Sequence, residues 1–391
     1  MRDATLKPGW QVWRFDQMAV NVNDRIDDPS EAGVEHYVGL EHLDTDSLKI
    51  RRWGVPTDVE ATKLYFRKGD IIFGRRRAYQ RKLAVAEFDG ICSAHAMVLR
   101  AKPDVVLPEF LPFFMQSDLF MNRAVEISVG SLSPTINWKT LAAQEFALPP
   151  LDEQRRVAEV IFASQQVIDA LSLAIQMIKV LRDSMVIQRS VELSACGLTT
   201  LRTVISTIES GSSPGGNGRP AEEDEYGVLK VSAVGNWKFH PDENKVIDVS
   251  EFLPALQVRV GDLLATRANA DPASVGRTCL VDKTPPGLML SDKTWRLNVA
   301  SDIGFRRIGV LAWTKSPTFR KHVHSSLGGT EAKNISQKAF LDGPFPSCTE
   351  STFNAFADDV EAILAMEKSL ERRREIAHAV KANLFSSSIE Y

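Results

Sequence analysis

The densest patch of side chains able to do chemistry is cationic. Between Lys49 and Lys82 lie eleven bases: Lys49, Arg51, Arg52, Lys63, Arg67, Lys68, Arg75, Arg76, Arg77, Arg81 and Lys82. Only three acids, Asp58, Glu60 and Asp70, share the segment, and Trp53, Tyr65, Phe66, Phe73 and Tyr79 are interleaved with the bases. The whole chain carries a formal charge of −3, which on its own argues against a polyanionic partner. A local positive field is what a polyanion feels, however, and charges beyond ~10 Å are screened. The preceding stretch is the opposite, with nine acids from Asp16 to Asp46 and one base, Arg25. A guanidinium fork matches the O6/N7 edge of guanine and also grips phosphate, which positions without specifying. Lys49, Arg51, Arg52, Arg75, Arg76, Arg77, Arg81 and Lys82, with Tyr79 and Gln80 beside them, are therefore expected to contact double-stranded DNA. The plainer alternative is a solvated charged face; the interleaved aromatics favour strands and loops facing a groove.

Other candidate chemistry is thin. Gly211-Ser212-Ser213-Pro214-Gly215-Gly216-Asn217-Gly218 is glycine-rich, but no Gly-Lys-Ser/Thr follows, so it is not a phosphate loop of the P-loop type. Asp242, Glu243 and Lys245 have the composition of a nuclease site, yet adjacent acids point apart and would not share a metal. His322 and His324 have no acid or cysteine at ligand spacing, and His95 reads as a strand residue. No methyl-donor motif is present. The expectation is a chain without catalysis of its own, without cofactor and without metal.

Behind these residues stands an internal repeat. Lys68-Gly69-Asp70-Ile71-Ile72-Phe73 matches Val260-Gly261-Asp262-Leu263-Leu264-Ala265, and basic loops follow both, Arg75 to Lys82 and Arg267 to Arg277. Strand-like segments follow, such as Ala96–Leu99 and Thr294–Leu297. Next comes a Phe- and Leu-rich helix in each half, over 109–127 and 306–327, closed by Gly130 or Gly328-Gly329. Ile136-Asn137-Trp138-Lys139 and Ile335-Ser336-Gln337-Lys338 come next, then Pro149-Pro150 and Pro344-Phe345-Pro346, then a long helix without Pro or Gly. The repeat makes Lys230, Arg267, Asn269, Arg277, Lys293, Lys333 and Asn334 the second-half counterparts for DNA contact.

The long helices are expected near 152–193 and 352–384. Val157, Ile161, Ser164, Ile168, Leu171, Ile175 and Ile178 step alternately by four and three, a heptad seam. Phe356, Val360, Ile363, Leu370, Ala377 and Val380 form a weaker one. At ~1.5 Å per residue each helix is on the order of 45–60 Å long, longer than a compact lobe, which favours pairing with the other.

With 391 residues and 44% hydrophobic content the chain can build two cores. Its uninterrupted apolar runs fall short of the ~20 residues of a membrane span, and Met1 to Thr5 open no signal peptide. Cys92, Cys196, Cys279 and Cys348 are scattered and expected as free thiols. These features suggest a soluble cytoplasmic chain with no membrane partner.

At Leu148-Pro149-Pro150-Leu151-Asp152-Glu153-Gln154 the chain resembles the specificity subunits of type I restriction-modification enzymes. The resemblance, together with the repeat, implies an α+β fold. Two similar β-rich target-recognition domains, 1–150 and 196–350, would be separated by two long antiparallel coiled-coil helices, 151–195 and 351–391, in a pseudo-two-fold repeat. It implies that each domain reads half of a split, asymmetric DNA site. The helices would dock modification (methyltransferase) subunits, two of them, and restriction subunits would complete the complex. Leu151, Glu153, Gln154, Val157, Ile161, Ile168, Leu171, Val360, Ile363 and Leu370 are the docking candidates. In the second half Phe345-Pro346-Ser347-Cys348-Thr349-Glu350-Ser351 replaces the motif, so the second docking surface is expected to differ. The alternative from another class is a scaffold that binds proteins through its helices; a third is a nuclease.

Overall fold

The computed structural model describes residues 6–215, 218–300, 304–330 and 332–389. Gly216 and Asn217 of the glycine-rich segment, and Met1 to Thr5, lie outside the described residues. The chain divides into two compact units, one made of residues up to Leu171 with those from Arg373 onward, the other of Ser172–Arg372.

In the first unit two four-stranded sheets form the lobe. One has the order Ala19–Val22, Ala96–Ala101, Ile71–Gly74, Leu83–Val85; the other runs Arg25–Ile26, Lys63–Phe66, Gly90–Ser93, Tyr37–Val38. The second unit has a five-stranded sheet, Ile205–Ser210, Thr294–Val299, Leu263–Thr266, Thr278–Leu280, Trp237–Lys238, and a three-stranded sheet, Asn244–Ile247, Tyr226–Leu229, Leu288–Met289. A two-stranded ribbon closes the base of each lobe, Gln11–Arg14 with Glu145–Leu148 and Leu198–Thr200 with Pro344–Pro346.

The repeated Gly-Asp pair sets the entry to the central strand of each lobe. Gly69 and Gly261 have φ of +91° and +90°, a conformation open to glycine without steric cost. Their amides donate to Ala86 and Val281 carbonyls, both at 2.8 Å. The following carboxylate closes the turn by accepting from the backbone three residues back, Asp70 from Arg67 N at 2.9 Å and Asp262 from Arg259 N at 2.8 Å.

Against each central sheet pack two short helices rather than the single one expected: Leu111–Gln116 and Asp118–Glu126, then Arg307–Trp313 and Pro317–Ser325. The break falls at Ser117 and Ser316, whose hydroxyls accept from Phe120 N and Phe319 N and so start a new helix. Phe15, Phe73, Phe110, Phe114 and Phe120 fill the first core; Trp295, Trp313, Phe319, Phe340 and Phe345 fill the second.

The long helices run Leu151–Ser194 and Glu350–Ile389. Their inner faces join the lobes: Val157, Ala158 and Ile161 enter the first core, while Val186, Leu193, Phe353, Phe356 and Val360 enter the second. Within the second unit they run antiparallel, since Arg182 pairs with Glu367 at 2.6 Å and Arg189 with Asp359 at 3.2 Å. Within the first unit Lys381 Nζ donates to Gln165 Oε1 at 2.7 Å. The first helix also has a second apolar stripe on its outer face, Val160, Val167, Leu173, Met177, Val180, Ile187 and Val191, all exposed. Two apolar faces on one helix give an 18-residue window of mean hydropathy 1.4, long and apolar enough by composition to cross a membrane. The ion pairs that Asp169 and Arg182 make in the middle of this helix fit packing against protein instead.

Candidate nucleic-acid interface

The site is built where a strand ends and the chain doubles back. After Ile71–Gly74 the backbone of Arg75 and Arg76 runs beside Thr135 and Ile136, with Ile136 N donating to Arg75 O at 3.0 Å and Arg77 N to Pro134 O at 2.7 Å. Val129 and Thr135 bridge to make a hairpin whose first turn residue, Gly130, has φ +118°. The sequence motifs for the basic loop and the Ile-polar-polar-Lys element, some sixty residues apart, thus become neighbours. Arg76 reaches His95 Nε2 at 3.4 Å and, with Arg77, Ser133 Oγ at 3.3 Å. Burial and the cations of Arg76 and Arg75 hold the His95 imidazole below its ordinary value, so it stays neutral beside them. At the hairpin tip Leu132 is 90% exposed. An exposed apolar side chain among arginines suits contact with thymine methyl groups or the edge of a base step. Sequence reasoning misses Leu132; its signal is a lone large apolar residue within Gly130-Ser131-Leu132-Ser133-Pro134.

The second lobe repeats the construction with other side chains. Ala268–Asn269 pairs with Lys333–Asn334, Gly328 bridges Asn334, and Ile335 N donates to Arg267 O at 3.0 Å. Arg267, Ala268 and Asn269 therefore occupy the places of Arg75, Arg76 and Arg77. Arg267 and Lys293 are exposed and joined through their backbones, Arg267 N to Lys293 O at 2.8 Å. Asn269 accepts from Asp271 N at 3.0 Å, and Lys333 Nζ donates to Gly329 O at 2.8 Å. Lys230 lies apart from this group, half-buried where its amide meets Glu243 O. Arg277 lines a cavity and pairs loosely with Asp271 at 3.7 Å.

Several expected DNA contacts are engaged inside the first unit. The acidic and basic blocks that the sequence separates are folded onto each other: Arg51 and Arg52 reach Asp44 at 3.3 and 2.5 Å, and Arg81 reaches Asp46 at 2.6 Å. Arg81 also holds Asp118 at 2.9 Å and Gln116 O at 2.5 Å. Lys82 Nζ donates to Leu40 O at 2.7 Å, and Lys49 pairs with Asp169 on the first long helix. Four of the eleven bases counted along the sequence, Lys49, Arg51, Arg52 and Arg81, thus have a carboxylate partner in space. Arg77 and Tyr79 are exposed, while Arg75, Arg76 and Gln80 are half-buried, with Arg75 Nη2 donating to Ala94 O at 3.1 Å; none of the three arginines has a carboxylate partner among the described residues.

The docking candidates also need correction. Gln154 is buried; its Oε1 accepts from Leu107 N at 2.9 Å while Nε2 donates to Val105 O and Pro149 O at 3.1 and 2.9 Å. It pins the motif to the lobe instead of facing outward. Ile161, Ile168 and Val360 are buried as well, and Val157, Leu171, Ile363 and Leu370 are half-buried. A heptad seam marks a packed face on a helix without saying whether the partner is in the same chain. Leu151 is exposed and Glu153 half-buried. On the outer stripe Leu173, Met177 and Val180 are exposed.

The other chemical candidates have structural duties. Glu243 accepts from Ser232 Oγ at 2.6 Å, Asn244 is buried against Ala221 N at 2.8 Å, and His322 Nε2 lies 2.8 Å from Ala339 O. Among the described residues no group of three or more His, Cys, Asp or Glu stands where it could hold a metal.

Comparison with known proteins gives these features a common source. Residues 48–176, which contain the first basic loop and the start of the first long helix, match the type I restriction modification DNA specificity domain. The EcoEI specificity subunit of Escherichia coli is 35% identical over 144 residues, 36% of this chain and 24% of that protein. Over about a third of its length, then, the chain is similar to type I specificity subunits. The EcoDI specificity subunit of the same organism is 28% identical over 150 residues, 38% of this chain and 33% of that protein. The matched region thus spans a quarter to a third of the length of these relatives. The fold agrees along the whole chain. An S subunit of a type I system from M. genitalium superposes with a TM-score of 0.58 at 12% identity, over 100% of this chain and 98% of that one. A chain solved in work on complex assembly and conformational transition of the type I R-M system gives 0.57 at 19% identity, over 98% of each chain.

Proposed function

We propose that this chain is the sequence-reading component of a type I restriction-modification complex, binding a two-part DNA site and carrying no chemistry of its own. The observation that supports this best is the duplicated loop-and-hairpin construction. One backbone scaffold presents Arg75, Arg76 and Arg77 in the first lobe and Arg267, Ala268 and Asn269 in the second. A symmetric dimer would read the same half-site twice; diverged copies within one chain read two different ones. Arginine favours guanine and asparagine favours adenine, so the two scaffolds carry different base preferences. The outer apolar stripe of the first long helix supplies the surface on which modification subunits would dock.

The test is base-resolution mapping of methylation in a host carrying this chain with its modification subunit. A split sequence with two unlike halves is expected, and replacing Arg75, Arg76 and Arg77 should alter one half only. A methylation pattern indifferent to the presence of the chain would overturn the reading. Turnover by the repurified chain alone, with Mg²⁺ or a methyl donor, would overturn the non-catalytic part.

A further inference from the structure

The second unit contains a cavity of about 260 Å³ away from the paired loops, and its lining is cationic. Lys315, at the junction of the two short helices, Arg320 on the next turn and Arg277 from the basic loop converge on it. Trp237 forms one wall, with Val186 and Ile187 of the first long helix beside it. The acid on the lining, Asp183, is taken by Arg182 at 3.0 Å. That same Arg182 lies over the Trp237 ring at 4.5 Å.

Neither Lys315 nor Arg320 belongs to an ion pair among the described residues. Their hydrogen bonds go to backbone carbonyls: Lys315 Nζ to Thr278 O, and Arg320 Nη2 to Ala273 O and Val275 O at 3.1 and 2.9 Å. Lys315 and Arg320 thus share a partly dry space, each with further N–H donors than these bonds use, and the half-exposed Arg277, loosely paired with Asp271 at 3.7 Å, adds a third cation at its edge. Such an arrangement is costly unless an anion completes it. Trp237 adds to the cost, since it is held at φ +80°, a region bulky residues avoid.

We propose that this pocket binds a phosphate group through Lys315, Arg320 and Arg277. Arginine forks and a lysine point charge are the usual recognition set for a tetrahedral oxyanion. The cavity lies just below the ~300–1,000 Å³ of ordinary ligand sites, which suits inorganic phosphate or a small phosphomonoester. Burial, countered in part by Cys279 and reinforced by Arg320, Arg277 and Arg182, brings the Lys315 ammonium down to about 7. A bound anion would reverse that shift. Arg277 is also among the expected DNA contacts, so the phosphate is either a free ligand's or the DNA's, and the experiment separates the two.

The experiment is calorimetric titration of the full chain with inorganic phosphate at constant ionic strength, with chloride as the control. Saturable binding is expected, weakened at least tenfold in Lys315→Met and in Arg320→Gln. Lys283→Gln, at an exposed lysine outside the pocket, should bind phosphate as the wild type does. Lys315→Met should also raise Tm in phosphate-free buffer, because it removes a cation without an acid partner, and it should abolish the further rise that phosphate causes. Repeating the titration with saturating duplex DNA separates the sources. Unchanged phosphate binding assigns the pocket to a free ligand, and competitive loss assigns it to a backbone phosphate. Absence of saturable binding by the wild type, or equal affinity in folded Lys315→Met and Arg320→Gln, would overturn the proposal.

Discussion

Arg100 holds both carboxylate oxygens of Asp70, from Nε at 2.7 Å and from Nη2 at 2.8 Å. Asp70 is buried, and it also closes the turn at Gly69, so one carboxylate ties the entry of a central strand to the neighbouring strand. In the second lobe Arg296 Nε reaches one oxygen of the half-buried Asp262 at 3.0 Å, and its Nη1 takes Glu209 as an added partner at 2.6 Å. Asp70→Asn should cost on the order of 1–3 kcal/mol, as expected when a buried charged hydrogen-bond acceptor is removed. Urea denaturation followed by tryptophan fluorescence measures it. A variant as stable as the wild type would show that the turn holds without its clamp.

The loop arginines separate into two kinds. Replacing Arg75, Arg76 and Arg77 by alanine should weaken DNA binding and lower the log–log salt slope by ~0.9 for each phosphate no longer neutralised, with little effect on Tm. Arg81→Ala should do the reverse, lowering Tm because Asp46, Asp118 and Gln116 O lose their common partner. Binding across a salt series, read beside thermal melts, distinguishes them; equal effects of the two variants on both readouts would contradict the division.

On the first long helix the two apolar faces should respond differently to charge. Ile161→Asp places a carboxylate in the first core and should destabilise that unit by several kcal/mol. Met177→Asp and Val180→Asp, on the outer stripe, should leave the melt unchanged and abolish assembly with the modification subunit. Size-exclusion chromatography of the mixed subunits gives the answer. A normal complex from the double outer variant would remove that stripe as a docking face.

Lys315 gives stability a pH dependence of definite sign. Its ammonium titrates near 7 in the folded chain and at its ordinary value of 10.5 when unfolded. Between those values the unfolded chain binds a proton that the folded chain does not, so stability rises with pH through the window and falls as pH drops toward 7. The charged groups that face it are three arginines, Arg182, Arg277 and Arg320, and one aspartate, Asp183. Burial pushes the Cys279 thiol up to about 12, so it stays protonated there. The stability of wild type relative to Lys315→Met should therefore climb from about pH 7 to about pH 9 in phosphate-free buffer. A constant difference would place the lysine's charge elsewhere.

Much of the architecture is legible in one sequence because the repeated marks are those that backbone geometry demands. Gly69-Asp70 and Gly261-Asp262 survive divergence as a left-handed turn plus a carboxylate clamp, and the absence of Pro and Gly exposes the long helices. What the sequence hides is pairing. A tally of charge cannot see that Asp44 meets Arg51 and Arg52, or that Asp46 meets Arg81. Gln154 sits in a recognisable motif, but its inward direction depends on Leu107 and Val105, more than forty residues earlier. Ser117 and Ser316 look like ordinary helix residues until their hydroxyls are seen capping the next turn. The pocket cations Arg277, Lys315 and Arg320 meet only through the fold, so their grouping leaves no local pattern.

Each compact unit draws on both long helices: the first takes the opening of one and the closing of the other, and the second takes the two remaining halves. Near the start of the chain Lys7 Nζ donates to Ser387 O at 3.3 Å, near its end. The first unit is therefore assembled from two stretches far apart in sequence, while the second is one continuous stretch from 172 to 372. In synthesis from the N-terminus, the second unit has all its residues once Arg372 is made, whereas the lobe that comes first along the chain still waits for residues from Arg373 onward, Lys381 among them, to complete its contacts.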